Sequence, residues 1–296
     1  MFPANKKFIF IISAGRTGTK FMGNVLSSMI EKSFSVHEPD SLDFEKNLSQ
    51  NLKTIKLLGI KGSTLGKIKG DTGIYNLSRK YLSNQISEEA VKKEIIRHRQ
   101  KYYQGIDADL IIESHYGWYG LIPIIRQMYS DVKIVLMYRD PLTWITSNMN
   151  WGTLYGKRDY LEKYFKLRIN PCMVNDSTCN EWNDYDQFQK LCWNWVFVNG
   201  MLQKENDDGK NTFHVKYEDL FIDKNKNQNF SALLKNVCSF NAHLFQHEFN
   251  PDYLKRIYNS GKTQSFPSFE KWPTERQDFA RKMCLNLNRK LGYTDF

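Results

Sequence analysis

An apolar run, Phe8-Ile9-Phe10-Ile11-Ile12-Ser13, breaks abruptly into Ala14-Gly15-Arg16-Thr17-Gly18-Thr19-Lys20-Phe21. An amphipathic stretch then runs from Phe21 to Ile30. This order predicts a buried strand, a tight loop and the start of a helix. Such a loop turns backbone N–H groups and hydroxyls towards an anion, with the positive end of the helix dipole behind them. Gly15, Arg16, Thr17, Gly18, Thr19 and Lys20 therefore read as a phosphate cradle and point to a nucleotide. A ligand-free glycine turn is the plainer alternative. The loop is not that of a standard nucleoside triphosphatase, which needs four residues between its first Gly and a Gly-Lys-Ser/Thr ending. Here two residues separate Gly15 from Gly18, and Phe21 follows the lysine where a magnesium-binding hydroxyl belongs.

Further short apolar runs follow. Lys7–Ser13, Ser33–Val36, Leu110–His115, Val132–Tyr138 and Thr212–Lys216 are predicted strands. Helical periodicity marks Phe21–Ile30, Gly120–Tyr129, Leu142–Asn150, Tyr185–Leu202 and Thr274–Leu291, and more weakly Glu88–Arg99. Lys204–Asn211 and Asp223–Asn229 read as surface loops. Continuous apolar strands alternating with helices imply an α/β, P-loop-type three-layer fold, a central parallel β-sheet flanked by helices. We expect one domain over 1–296, with insertions at about 41–108 and 150–190 that shape an acceptor cleft. Ligands of such sheets sit at the carboxyl ends of the strands. Arg16, His37, Glu38, His115, Arg139 and Tyr217 all fall there.

The chain carries 42 Lys and Arg against 32 Asp and Glu, a net charge of +10. The charge is dispersed and forms no basic tail. It suits an anionic cofactor or an acidic acceptor, and no nucleic-acid-binding signature accompanies it. The cysteine count is odd, with no zinc-like spacing. Cys172 and Cys179 could bridge a loop, but free thiols in a reducing cytosol are the expectation. The first apolar run is too short for a signal peptide or a membrane span, so a cytoplasmic protein is expected.

A second constellation is Arg139-Asp140-Pro141 followed by Ser147, eight residues after the arginine. Arg139 ends a strand and Ser147 lies about two turns into the next helix, so one anion can reach both. The two constellations together resemble the sulfotransferase family, which uses 3′-phosphoadenosine 5′-phosphosulfate. Arg16-Thr17-Gly18-Thr19-Lys20-Phe21 is similar to the loop that cradles the 5′-phosphosulfate there. Arg139 and Ser147 are similar to the pair that binds the 3′-phosphate. Tyr217-Glu218-Asp219-Leu220 resembles a stretch whose tyrosine lies near adenine, and the ending from Trp272 to Gly292-Tyr293 also resembles the family's. Arg16 stands where many cytosolic members have lysine, and Phe21 where they have tryptophan. Lys262, in Ser260-Gly261-Lys262, stands in for their Arg-Lys-Gly stretch. The pattern is closer to bacterial or carbohydrate-type members.

The resemblance implies sulfuryl transfer from that donor to a hydroxyl or amine of a carbohydrate, lipid or small molecule, with no metal required. Arg16 would stabilise charge on the bridging and leaving oxygens. Glu38 and His115 compete as general base, and His37 would orient Glu38. Trp144, Trp151, Tyr155 and Tyr160 form a local aromatic cluster, usable for stacking or for core packing. The rival functions are an ATP-dependent P-loop kinase and a non-catalytic nucleotide- or nucleic-acid-binding protein.

Overall fold

The computed structural model describes residues 6–40, 51, 52, 55, 56, 59, 70, 72–205, 210–239, 248–255 and 266–296. Lys262 lies outside them, as does most of 41–71. The strands are β1 (Lys7–Ser13), β2 (Ser33–His37), β3 (Leu110–Ser114), β4 (Val132–Tyr138) and β5 (Thr212–Lys216). The α-helices are α1 (Thr19–Val25), α2 (Ile74–Leu82), α3 (Glu88–Tyr103), α4 (Ile122–Met128), α5 (Pro141–Trp151), α6 (Tyr160–Phe165), α7 (Gln187–Gln203), α8 (Tyr217–Phe221), α9 (Lys226–Val237) and α10 (Thr274–Lys290).

The five strands are all parallel, in the order β2-β3-β1-β4-β5. Alternation along each strand builds two cores. Phe8, Phe10 and Ile12 join Ile111, Ile134 and Leu136 on the face covered by α2, α3, α4 and part of α7. Ile9 and Ile11 join Leu110, Ile112, Val135, Met137 and Phe213 on the face covered by α1 and α9. Each such side chain contributes about 1.5–3 kcal/mol when fully buried. A third core joins Trp144 and Ile145 of α5 to α7 and α10.

This topology fixes the site. β1 is hydrogen-bonded to β3 on one side and β4 on the other, and Ser13 lies opposite Met137. The loops that leave β1 and β4 are therefore neighbours, about 5 Å apart at their origins. Asp140 caps α5, its Oδ1 accepting from Thr143 N–H at 2.9 Å, and Pro141 starts the helix. Ser147 is carried on that helix.

Several expectations need correction. The helix read over Phe21–Ile30 is α1 followed by a 3-10 turn at Leu26–Ser28. α9 begins at Lys226, inside the stretch read as the Asp223–Asn229 loop, because Phe230, Leu233, Leu234 and Val237 give it a buried face. Cys172 and Cys179 form a disulfide, with Cα atoms 4.6 Å apart. Two 3-10 helices, Pro171–Val174 and Ser177–Glu181, fold back on each other and bring the two thiols together. The cysteines left over, Cys192, Cys238 and Cys284, are buried. The bond removes the support that free thiols lent to a cytoplasmic location. Among the described residues no helix is long and apolar enough to cross a membrane.

Candidate active site

The loop after β1 is held in a left-handed conformation at three positions. Gly15, Arg16 and Gly18 have φ of 78°, 54° and 82°. Gly18 is required on two counts, since a Cβ there would also lie 2.7 Å from the Phe221 ring. The Trp144 indole of α5 donates to the Gly15 carbonyl at 2.8 Å. Thr17 is 1% exposed, and its buried Oγ1 has no hydrogen-bond partner among the described residues. A buried hydroxyl without a partner is costly, and a bound anion would supply one.

Two guanidinium groups converge on this loop. Arg16 Nε donates to Ser147 Oγ at 3.2 Å, and its guanidinium lies 5.2 Å from the Trp151 ring centre. Arg139 Nη1 donates to the Arg16 carbonyl at 2.7 Å, and its guanidinium lies 4.6 Å from the Tyr217 ring centre. Burial, and next the positive Arg139, pulls Arg16 below its ordinary pKa, with Tyr217 acting in the other direction. Two cations drawn together and partly desolvated favour an anion between them. The Trp195 indole fixes the Arg139 carbonyl at 3.0 Å. Glu218, from the Tyr-Glu-Asp-Leu stretch, accepts from Asp140 N–H at 3.1 Å and from the Tyr293 hydroxyl at 2.9 Å. It ties α8 and the C-terminal segment to the end of β4.

The sequence-predicted residues divide accordingly. Arg16, Thr17, Gly18, Arg139, Ser147 and Tyr217 are brought together. Thr19 and Lys20 open α1, with Lys20 half-buried. Phe21 is different: it is 4% exposed and packs edge-on against Phe221 and Phe230 at 5.3 and 5.9 Å. Its ring serves the core, not an open adenine face. Trp144 is fully buried and acts through its indole N–H, whereas Trp151 is 51% exposed.

The β2 and β3 ends hold the candidate bases. His115 is 2% exposed. Its Nδ1 accepts from Gly117 N–H at 2.8 Å, so its proton sits on Nε2, which faces Asp40 Oδ1 at 2.9 Å. Both ring nitrogens are engaged. Glu38 has φ of 44°, and its backbone N–H donates to the Ser114 carbonyl at 2.9 Å. Its carboxylate is half-buried, 3.6 Å from His37 Nε2. With β3 between β2 and β1, Glu38 stands about 10 Å from the β1 loop.

Sequence reasoning missed what lies beneath. Arg99 of α3 is fully buried and makes a bidentate contact with Glu113 of β3, Nη2 donating to Oε1 at 2.7 Å and Nε to Oε2 at 2.9 Å. Glu113 also accepts from the Tyr103 hydroxyl and, at 2.9 Å, from the Trp118 indole. Asp40 accepts from Arg99 at 3.4 Å and from Ile74 N–H at 2.9 Å. Burial pulls the Arg99 guanidinium down, but Glu113 and Asp40 more than offset this and hold it above its ordinary pKa. The only sequence signal was Glu113, an acid inside an apolar strand.

Comparison with known proteins gives a family. A model described as the sulfotransferase domain matches residues 6–240. The crystal structure of sulfotransferase STF1 from Mycobacterium tuberculosis H37Rv aligns over 98% of this chain and 74% of that chain, at 12% identity and a TM-score of 0.41. A likeness that loose carries no residue assignment. No curated protein matches the chain.

Proposed function

The chain belongs to the sulfotransferase domain family, and from that premise we propose that it moves a sulfuryl group from 3′-phosphoadenosine 5′-phosphosulfate to an acceptor hydroxyl or amine. The observation that carries the choice of donor is the convergence of Arg16, Arg139 and Ser147 at the adjoining ends of β1 and β4. Beside them the unpartnered Thr17 hydroxyl fits a phosphoryl oxygen. Two anionic groups on one ligand answer the repulsion between the two guanidiniums.

The donor supplies an activated sulfuryl group whose leaving oxygen belongs to the 5′-phosphate. Arg16 neutralises charge that grows on that oxygen, an electrostatic role because arginine keeps its proton. The β1 loop holds the 5′-phosphate with Thr17 and the N-terminus of α1. Arg139 and Ser147 hold the 3′-phosphate, and Tyr217 lies under the Arg139 guanidinium. As the acceptor oxygen bonds to sulfur, the sulfur–oxygen bond to the 5′-phosphate breaks and the acceptor proton passes to a base.

We assign that base to Glu38. It combines a carboxylate that reaches solvent with a place across β3 from Arg16, which leaves room for an acceptor. His115 has both nitrogens committed and braces the β2 and β3 ends. A positioned base contributes about 10²–10⁴-fold. Glu38→Gln should lower turnover by that order with donor binding intact. His115→Gln should chiefly lower stability. The reverse outcome would return the base to His115.

The deciding experiment is calorimetric titration of the protein with adenosine 3′,5′-bisphosphate, AMP and magnesium ATP. We expect the bisphosphate to bind tightest. Preference for magnesium ATP would favour a kinase, and binding of none would remove the donor assignment.

A further inference from the structure

The end of the chain reaches back to the strand that carries Arg139. Parallel pairing of β4 with β5 sets Tyr138 opposite Lys216. Lys216, Tyr217 and Glu218 therefore leave the sheet beside Tyr138, Arg139 and Asp140. Consecutive residues of α8 then meet one strand end. The Tyr217 ring centre lies 4.6 Å from the Arg139 guanidinium, and the Glu218 carboxylate accepts from the Asp140 N–H.

The peptide that joins Arg139 to Asp140 is held at both of its polar atoms. Its carbonyl accepts from the Trp195 indole at 3.0 Å, and its N–H donates to Glu218 Oε1 at 3.1 Å. That peptide is the joint between β4 and α5. Arg139 precedes it. Asp140 follows it and caps α5 through Thr143 N–H at 2.9 Å, and Ser147 rides on that helix. A peptide plane is rigid, and only the dihedrals on either side of it are soft. Holding its two polar atoms fixes how Arg139 leaves the strand and how α5 starts. It thereby fixes the spacing between the guanidinium and the Ser147 hydroxyl. The restraint is needed, because the positive Arg16 faces Arg139, and a constellation that grips one anion tolerates only about 0.5 Å of error.

Glu218 is itself held from the C-terminal segment. Its Oε2 accepts from the Tyr293 hydroxyl at 2.9 Å. Burial, and next the negative Glu218, keep that hydroxyl above its ordinary pKa, so it remains a donor. The chain turns after α10 at Gly292, whose φ of 73° suits glycine. Lys216 Nζ donates to the Gly292 carbonyl at 2.6 Å and lies 4.6 Å from the Tyr293 ring centre. The Tyr293 N–H donates to the Asn288 carbonyl at 3.1 Å. These contacts direct the phenol at Glu218.

We infer that Glu218 and Tyr293 are positioning residues for the 3′-phosphate. Acting through the Arg139–Asp140 peptide, the C-terminal segment sets how strongly the site prefers a 3′-phosphorylated nucleotide. This deepens the sulfuryl-transfer reading above and rests on it.

The test is calorimetry on the intact chain with adenosine 3′,5′-bisphosphate and with AMP, with urea unfolding of each variant in parallel. Tyr293→Phe keeps the ring beside Lys216 and removes one hydroxyl. It should shrink the bisphosphate-to-AMP affinity ratio about threefold, and Glu218→Ala about fivefold, fractions of the worth of one charge-assisted contact. In Glu218→Gln the amide oxygen accepts from Asp140 and the amide nitrogen donates to Tyr293. The ratio should then stay within about twofold of wild type. In an Arg139→Ala protein, Tyr293→Phe should shift the ratio no further, since the two act in one chain of contacts. Ratios kept in Tyr293→Phe and Glu218→Ala, whatever the loss of stability, would make both residues structural ties and overturn the positioning role. So would a Tyr293→Phe effect that persists at full size in the Arg139→Ala protein. A wild-type protein that binds both nucleotides equally would remove the 3′-phosphate reading, and the positioning role with it. A wild type that prefers the bisphosphate, with variants that keep the preference, would remove the positioning role alone.

Discussion

The two halves of the sheet's carboxyl edge use the same residue types to opposite ends. At β2 and β3, Arg99, Glu113, Asp40 and His115 are buried and joined, the Arg99 cation facing both carboxylates and His115 bonded to Asp40. At β1 and β4, Arg16 and Arg139 approach each other across a loop with a buried, unpartnered Thr17 hydroxyl. In the first half opposite charges are paired without a ligand, although Arg99 Nη1 has no hydrogen-bond partner among the described residues; in the second half like charges face each other. Arginine or histidine at a strand end therefore says little alone. Whether its charge is already satisfied separates scaffold from site.

The largest expected effect breaks the paired half. Arg99→Met strands Glu113 and Asp40 without their cation, and loss of one partner of a buried pair costs about 3–5 kcal/mol. Urea unfolding should show that loss. Arg99→Met/Glu113→Leu removes both main charges and should recover part of it. Arg16→Ala should do the opposite of the single change at Arg99: stability holds or rises, because a repulsion is relieved, while turnover falls about 10²–10³-fold. Similar stability losses at Arg99 and Arg16 would erase the distinction.

A second test uses acid. His98 of α3 is 4% exposed, with Nε2 3.1 Å from Arg97 Nη2 and 3.4 Å from Glu94 Oε2. Burial, then Arg99 and Arg97, lowers its pKa from 6.5 to about 4. The unfolded chain takes up this proton below pH 6.5, whereas the folded chain resists until about pH 4. Stability from this residue is therefore present above pH 6.5 and is lost as pH falls towards 4, by up to about 3 kcal/mol. Unfolding free energies measured across that window should slope with pH, and His98→Gln should flatten the slope. An unchanged slope in the variant would place the sensitivity elsewhere.

What the sequence made legible follows the same division. β1, β4 and β5 were readable to the residue, β1 and β4 as mostly apolar runs ended by polar groups and β5 as a short alternation of polar and apolar residues before Tyr217. The meeting of Arg16, Arg139 and Ser147 was readable because its signals are local: a glycine loop, and a serine two turns after an arginine. The paired half was not legible. Arg99 lies 14 residues from Glu113 and 59 from Asp40, and no spacing rule joins them. For His115 the sequence shows its place at the end of β3 but not its two partners, Asp40 and Gly117. α2 was missed although Ile74, Leu77, Tyr81 and Leu82 keep a helical spacing, because it is short and lies in the polar stretch read as an insertion. Phe21 was assigned to a ligand by its neighbours in the chain, whereas Phe221 and Phe230, some 200 residues on, claim it for the core. The cysteine pair was misjudged because parity and spacing cannot show that two 3-10 turns meet.

The smallest effect sharpens the half at β1 and β4. Arg139 holds the Arg16 carbonyl and also faces outward over Tyr217, so its removal could act on the loop or on the ligand. The ratio of adenosine 3′,5′-bisphosphate affinity to AMP affinity separates the two, because only the 3′-phosphate differs. If Arg139 binds that phosphate, Arg139→Ala should shrink the ratio about tenfold, the worth of one charge-assisted contact. The salt dependence of bisphosphate binding should fall with it. Equal loss of both affinities, with the ratio kept, would make Arg139 a brace for the loop. No change in either would move it out of the site and leave Arg16 as the cation that receives the donor.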